Sequence, residues 1–196
     1  MTGRPNNKSL LVLACFRVHV WPKIVIVLVL MVASLQAGAD GTPVSEYQLK
    51  AVFLFNFAKF VEWPPQASGD THDPFIICVL GDNPFGPSLD DVVSGKTVAN
   101  RPISIREVSS PQQSQKCRIL FISASERKRT RAILDALKGF SVLTVGDTED
   151  FVANGGIVRF KVKDARVRIE IDAEAAERAN LRISSKLLSL AEPARH

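Results

Sequence analysis

Phe75-Ile76-Ile77-Cys78-Val79-Leu80-Gly81-Asp82 is a run of six apolar residues closed by a glycine and an aspartate. A run this short, without polar alternation, reads as a strand covered on both faces. Such strands belong to parallel sheets with helices on either side. The pattern returns downstream. Pro102 to Val108 alternates around Ile103 and Ile105, Arg118 to Ile122 is a third apolar run, and Ser141 to Val145 is a fourth, again closed by Gly146-Asp147. Between them lie helical segments: a short one from Pro87 to Val93, one from Glu126 to Leu137 with Ser125 as its N-cap and Gly139 as its stop, and a short one near Glu149 to Ala153. Ile157 to Val162 and Val167 to Ile171 alternate on either side of Lys163-Asp164-Ala165-Arg166, a hairpin in pattern, and Ala173 to Ala179 and Ser184 to Leu190 read as final helical pieces. Strands alternating with helices predict an α/β fold: an open, mostly parallel sheet flanked by helices, with a late antiparallel hairpin.

Upstream of the first strand, Glu46 to Trp63 reads as one helix stopped by Pro64-Pro65. Phe53, Phe57 and Phe60 form one stripe at helical spacing, and Ala51, Leu54, Ala58 and Val61 form the next. The remaining sector carries Gln48, Asn56, Lys59 and Glu62, but also Val52, Phe55 and Trp63. A helix so apolar on most sides needs either two covering neighbours or an interaction partner.

The N-terminus is of a different kind. Arg4, Lys8, Arg17 and Lys23 precede an apolar run from Ile24 to Leu35, and Ala37-Gly38-Ala39 follows. A basic start, a short apolar core and an A-x-A site predict a secretory signal peptide over 1–39, cleaved before Asp40, with a single domain over 40–196. The apolar run is shorter than the roughly 20 residues of a membrane span, although an uncleaved anchor is the alternative. Removing the leader takes four of the 25 cations and none of the 20 acids, which leaves 21 against 20. The high isoelectric point therefore belongs largely to the leader and does not point to nucleic acid. Two cysteines remain, Cys78 and Cys117. In an oxidising compartment they most simply form one disulfide, two separate buried thiols being the other reading.

Catalytic chemistry has little to draw on. The histidines beyond the leader are His72, in a polar loop, and His196, the last residue, and neither has a partner at metal-ligand spacing. The sequence has no G-x-S-x-G elbow, P-loop or G-x-G-x-x-G fingerprint. This predicts a binding protein rather than an enzyme, with no cofactor and no metal. Asp82 and Asp147 follow strand ends, where open α/β sheets take ligands, so both are candidate ligand-binding residues; the simpler reading gives them capping roles in their turns. Two cation clusters, Arg127-Lys128-Arg129 with Arg131 and Arg159, Lys161, Lys163, Arg166 and Arg168, read as solvated faces.

The order of these segments also resembles a known family. Tyr47-Gln48-Leu49-Lys50-Ala51 through Phe53 to Pro64, Ile77 to Gly86, Cys117 to Ser123, Leu143 to Asp147, Gly155-Gly156-Ile157 and Ile183 to Leu188 are similar, in order, to the YfiR family. The resemblance implies a periplasmic regulator that binds the periplasmic sensor portion of an inner-membrane diguanylate cyclase of the YfiN type and holds down cyclic-di-GMP synthesis and biofilm formation. It implies a homodimeric α/β protein stabilised by disulfides, with Cys78 and Cys117 matching one family pair; a second pair, carried by some members near Gly155-Gly156, is missing. The resemblance does not fix the cyclase-binding face. The apolar excess of the first helix nominates Val52, Phe55 and Lys59, together with Leu187 and Leu188 near the C-terminus. The alternative function is a periplasmic small-molecule sensor with its ligand above Gly81-Asp82 and Gly146-Asp147.

Overall fold

The computed structural model describes residues 45–65 and 73–194. The expected leader with its cleavage site, His72 and His196 lie outside the described residues.

Ser45 opens the first helix, α1 (Glu46–Phe60). Its hydroxyl accepts from the Gln48 N–H and the Gln48 side chain returns a bond to the Ser45 N–H, a capping box that satisfies two otherwise orphaned donors. The helix ends earlier than the apolar pattern predicts. Val61–Glu62 is extended (β1) and pairs antiparallel with β9 (Arg182–Ile183), so the chain leaves the helix three residues before the first proline to meet a strand from the far end of the domain.

The main sheet follows. β2 (Phe75–Leu80) lies inside it and leads through α2 (Ser88–Val93) and β3 (Thr97–Val98) to β4 (Arg101–Val108), parallel to β2 on one side. The chain then crosses back through α3 (Pro111–Ser114) to β5 (Ile119–Ile122), parallel to β2 on the other side. A 3-10 turn (Ala124–Arg129) and α4 (Thr130–Ala136) lead to β6 (Leu143–Gly146), and β7 (Val158–Lys163) and β8 (Arg166–Ile171) form the hairpin. α5 (Ala173–Arg178), α6 (Ser185–Leu188) and β10 (Glu192–Pro193) complete the domain. The spatial order is β10-β8-β7-β6-β5-β2-β4-β3, parallel except where β7 meets β8 and β3 meets β4. This is the mostly parallel open sheet with a late hairpin that the sequence predicts.

The pleat sends alternate residues into two cores. Ile77 and Val79 of β2, Ile119 and Phe121 of β5 and Phe160 of β7 face α1, α5 and α6. Cys78 and Leu80, with Leu120 and Ile122, face Ile133, Leu134 and Leu137 around α4. Cys78 and Cys117 are buried and joined as a disulfide, their Cα atoms 5.9 Å apart.

Two expected helices are corrected. The segment from Glu126 to Leu137 is not one α-helix: its first turn is 3-10, capped by Ser123, whose hydroxyl accepts from the Ser125 N–H. Ser125 is thereby free to reach across and accept the Asp82 N–H at 2.9 Å. Glu149 to Ala153 forms turns rather than a helix. Those turns wrap Phe151, which is fully buried between Gly146 and Gly156; a Cβ at either glycine would overlap the ring. The hairpin turn places Asp164 and Ala165 at φ near 52° and 55°, the left-handed pair of a two-residue loop matched to strand twist.

Candidate functional site

Two surfaces answer to the sequence expectations: the carboxyl edge of the sheet and the outer side of α1.

At the carboxyl edge the two Gly-Asp turns prove unlike. Gly81 has φ +89°, a conformation that favours glycine, and a Cβ there would collide with Ser125. Asp82 itself is exposed and takes part through its backbone. Asp147 is engaged through its side chain. Lys50 Nζ lies 2.7 Å from Asp147 Oδ2, and Tyr47 Oη donates to the same oxygen at 3.0 Å. Lys50 also pairs with Glu46 at 2.6 Å, one helical turn back. β5 separates β2 from β6, so Asp82 and Asp147 do not converge on one site.

Lys50 is the residue that sequence reasoning missed. It sits on a helix whose neighbours are apolar, and only 2% of it is exposed. Burying an ammonium is tolerable only when it is paired, and here two carboxylates and the face of Tyr47, 4.3 Å from Nζ, surround it. The pairing ties α1 to the end of β6. Asp147 Oδ1 is buried and accepts no hydrogen bond within the domain. The cluster borders an open cavity of about 510 Å³, shared with Arg159 and Phe160. Arg159 in turn pairs with Glu170 at 2.6 Å, and Lys161 bridges Glu170 and Glu192. The hairpin cations nearest the cavity are therefore tied to acids rather than simply solvated.

The cluster should be visible in alkaline solution. Burial pushes the Tyr47 phenol above its ordinary value, and the Asp147 charge adds to this. Burial pulls Lys50 down, but its hydrogen bonds to Asp147 and Glu46 outweigh this and leave it raised. Both groups hold their protons more tightly folded than unfolded. Their contribution is complete below the ordinary values, near pH 10, and is lost as pH rises through the raised ones. Tyr47 is the sole tyrosine, so its ionisation can be followed by phenolate absorbance. The transition should lie above pH 10 and move down in Asp147→Asn; an unshifted transition in that variant would show that the carboxylate does not act on the phenol.

The five nominated partner residues on α1 and α6 divide. Val52 is 39% exposed, Lys59 is exposed, and Leu188 on α6 is 37% exposed. Phe55 and Leu187 are buried, at 7% and 3%. α2 packs against α1, and Lys59 and Lys96 lie over the Phe55 ring at 4.2 and 4.7 Å. Leu187 belongs to the core beneath α1. The exposed apolar residues of α1 are thus Leu49 and Val52, with Lys59 exposed further along the helix, and a charge at Phe55 would test the core rather than a partner face.

Among the described residues no group of three or more His, Cys, Asp and Glu side chains is arranged to hold a metal ion, and no helix is long and apolar enough to cross a membrane.

Comparison with known proteins gives a family and remote structural likenesses. The YfiR/HmsC-like family model (DUF4154) matches residues 47–192. Among solved structures, a conserved domain protein from Vibrio cholerae O1 biovar El Tor is 13% identical over 62% of this chain and 55% of its own, with a TM-score of 0.46. The ABC domain in complex with L-Trp from Streptococcus pneumoniae is 9% identical over 60% of this chain and 54% of its own, with a TM-score of 0.44. The chain thus spans about half the length of these structures. No curated protein matches it.

Proposed function

This chain belongs to the YfiR/HmsC-like family, and on that premise we propose that it is a periplasmic regulatory protein that binds the periplasmic portion of an inner-membrane diguanylate cyclase and lowers cyclic-di-GMP and biofilm formation. The observation that carries the reading is the family match, which covers nearly all of the described domain. The role is one of binding. It requires export by the basic, apolar leader and an accessible face on the folded domain, and it is compatible with a homodimer.

The face proposed for the cyclase is the outer side of α1, Leu49, Val52 and Lys59, with Leu188 as a second contact. Exposed leucine and valine cost little singly, but a partner that covers them gains apolar burial, and a charge placed there meets no counter-ion once the surface is desolvated. Deleting the gene should raise cellular cyclic-di-GMP and surface adhesion several-fold in a strain whose cognate cyclase is intact. Val52→Glu should reproduce the deletion while circular dichroism and periplasmic abundance stay at wild-type levels. Unchanged cyclic-di-GMP in the deletion, with the cyclase expressed, would end the regulatory reading. Normal repression by a folded Val52→Glu protein would instead move the face elsewhere.

A further inference from the structure

A further cavity lies at the opposite edge of the sheet from Asp82 and Asp147. It is a cleft of about 890 Å³ at the amino ends of β2, β4, β5 and β6. Its walls carry four cations from two separate segments: Arg101 and Arg106 from β4, and Lys116 and Arg118 from the turn entering β5. Strand register brings them together. Arg106 pairs with Cys78, and the Arg118 N–H donates to the Ile76 carbonyl at 2.8 Å, so β4 and β5 hold their cations on either side of β2. Alternation places Ile76, Cys78, Arg106 and Arg118 on one face of the sheet. The disulfide anchors Cys117, the residue between Lys116 and Arg118, to β2.

These cations are not arranged as an ordinary solvated face. Arg101 is only 9% exposed and donates from Nε to the Asp73 carbonyl at 2.6 Å. Arg118 is half-buried, and its guanidinium is pushed below its usual value, first by burial and then by the charge of Arg101; Asp73, the one acid among the described residues of the wall, offsets this in part. None of the ion pairs among the described residues involves Arg101, Arg106, Lys116 or Arg118. Elsewhere the domain pairs its buried cations: Arg159 has Glu170 and Lys50 has Asp147. Two guanidiniums crowded into a concave, partly desolvated site without a bound carboxylate repel each other, and an oxyanion between them would remove that cost. Ile76, Pro74 and Phe140 give the same cleft an apolar side.

We propose that this cleft binds a small organic oxyanion, its charged end held by Arg106, Lys116 and Arg118 against the buried Arg101, and its apolar body lying on Ile76 and Phe140. A planar guanidinium fork suits carboxylate and phosphate alike, so the shared chemistry is a compact oxyanion on an apolar body. The site is independent of the regulatory reading, since binding is measured on purified protein without a cyclase.

The probes are phenyl phosphate, phenylacetate and inorganic phosphate, titrated into the full-length protein and followed by calorimetry. A second signal is the emission of Trp63, whose indole N–H donates to the Arg118 carbonyl at 3.3 Å. Phenyl phosphate or phenylacetate should bind with one-to-one saturation, more tightly than inorganic phosphate, and the tighter of the two assigns the headgroup. Affinity should fall at least tenfold in Arg118→Met and in Arg106→Gln, and should weaken with added salt. Arg106 is exposed, so its variant keeps the test valid even if Arg118→Met fails to fold. Three results would overturn the proposal: no saturable binding of either organic probe by folded wild-type protein, binding that Arg106→Gln leaves unchanged, or inorganic phosphate binding as tightly as both organic probes.

Discussion

Gly156→Ala should destabilise the domain by at least about 3 kcal/mol, the upper part of the range for overpacking. The reason is that the new Cβ has nowhere to go. On one side it meets the Phe151 ring, which is fully buried and backed by Gly146; on the other it meets the Phe151 carbonyl oxygen, which already accepts the Gly156 N–H at 2.9 Å. A flexible side chain could swing aside, but a phenyl ring clamped between two backbones cannot. Gly155→Ala is the internal control. That residue has φ +98° and open space around its Cβ position, so only backbone strain of about 1 kcal/mol is expected there. Urea unfolding of the two variants separates the mechanisms. A further check is the pair Gly156→Ala with Phe151→Leu: if the clash with the ring is the cause, the double variant loses less than the sum of the singles. Additive losses would mean that Gly156 is needed for some other reason.

Removing both cysteines as Cys78→Ala with Cys117→Ala should cost about 4 kcal/mol, the chain-entropy estimate for a loop of this size. The two residues are 39 apart in sequence, and the bond closes a loop that includes α2, β3, β4 and α3. Alanine avoids placing two new hydroxyls in a buried position. For a domain of this length the loss corresponds to a fall in Tm of about 10 °C. Reduction of the wild-type protein should reproduce it, but slowly, because both sulfurs are buried and a reductant gains access through local opening. Equal stability of the oxidised and cysteine-free proteins would show that the bond merely records a proximity the fold enforces anyway.

The sheet was legible because its central strands are covered on both faces. Ile119–Ile122 is buried throughout and Phe75–Leu80 at every residue but Ile76, so continuous apolar runs appear in the sequence where half-exposed strands would alternate. The Gly-Asp turns were legible as turns, but not their differing reasons: Gly81 serves backbone conformation, whereas Gly146 makes room for Phe151. Phe55 read as surplus apolar surface because a helical projection cannot show that α2 and two lysines cover it. Lys50 drew no notice in the sequence because its partner Asp147 lies 97 residues away. The amino-edge cleft left no local trace either. Its four cations come from separate segments, and only strand register makes them neighbours, whereas the cation clusters that stand out in the sequence were the contiguous ones.

The meeting of α1 with the end of the chain sets the order in which the domain can be made. The Phe57 ring stacks on Phe160, Val61 pairs with Ile183, and the Ser184 N–H bonds to the Phe60 carbonyl. The first of the described elements therefore has some of its partners among the last, besides α2 nearer in sequence. Until the hairpin and α6 have emerged, Phe53 and Phe57 have no Phe160 to rest against. Contacts so distant along the chain are slow to form, because loop closure must precede any gain from burial. If the chain is exported as proposed above, the pairing of Val61 with Ile183 and the stacking of Phe57 on Phe160 would have to wait until its tail has crossed.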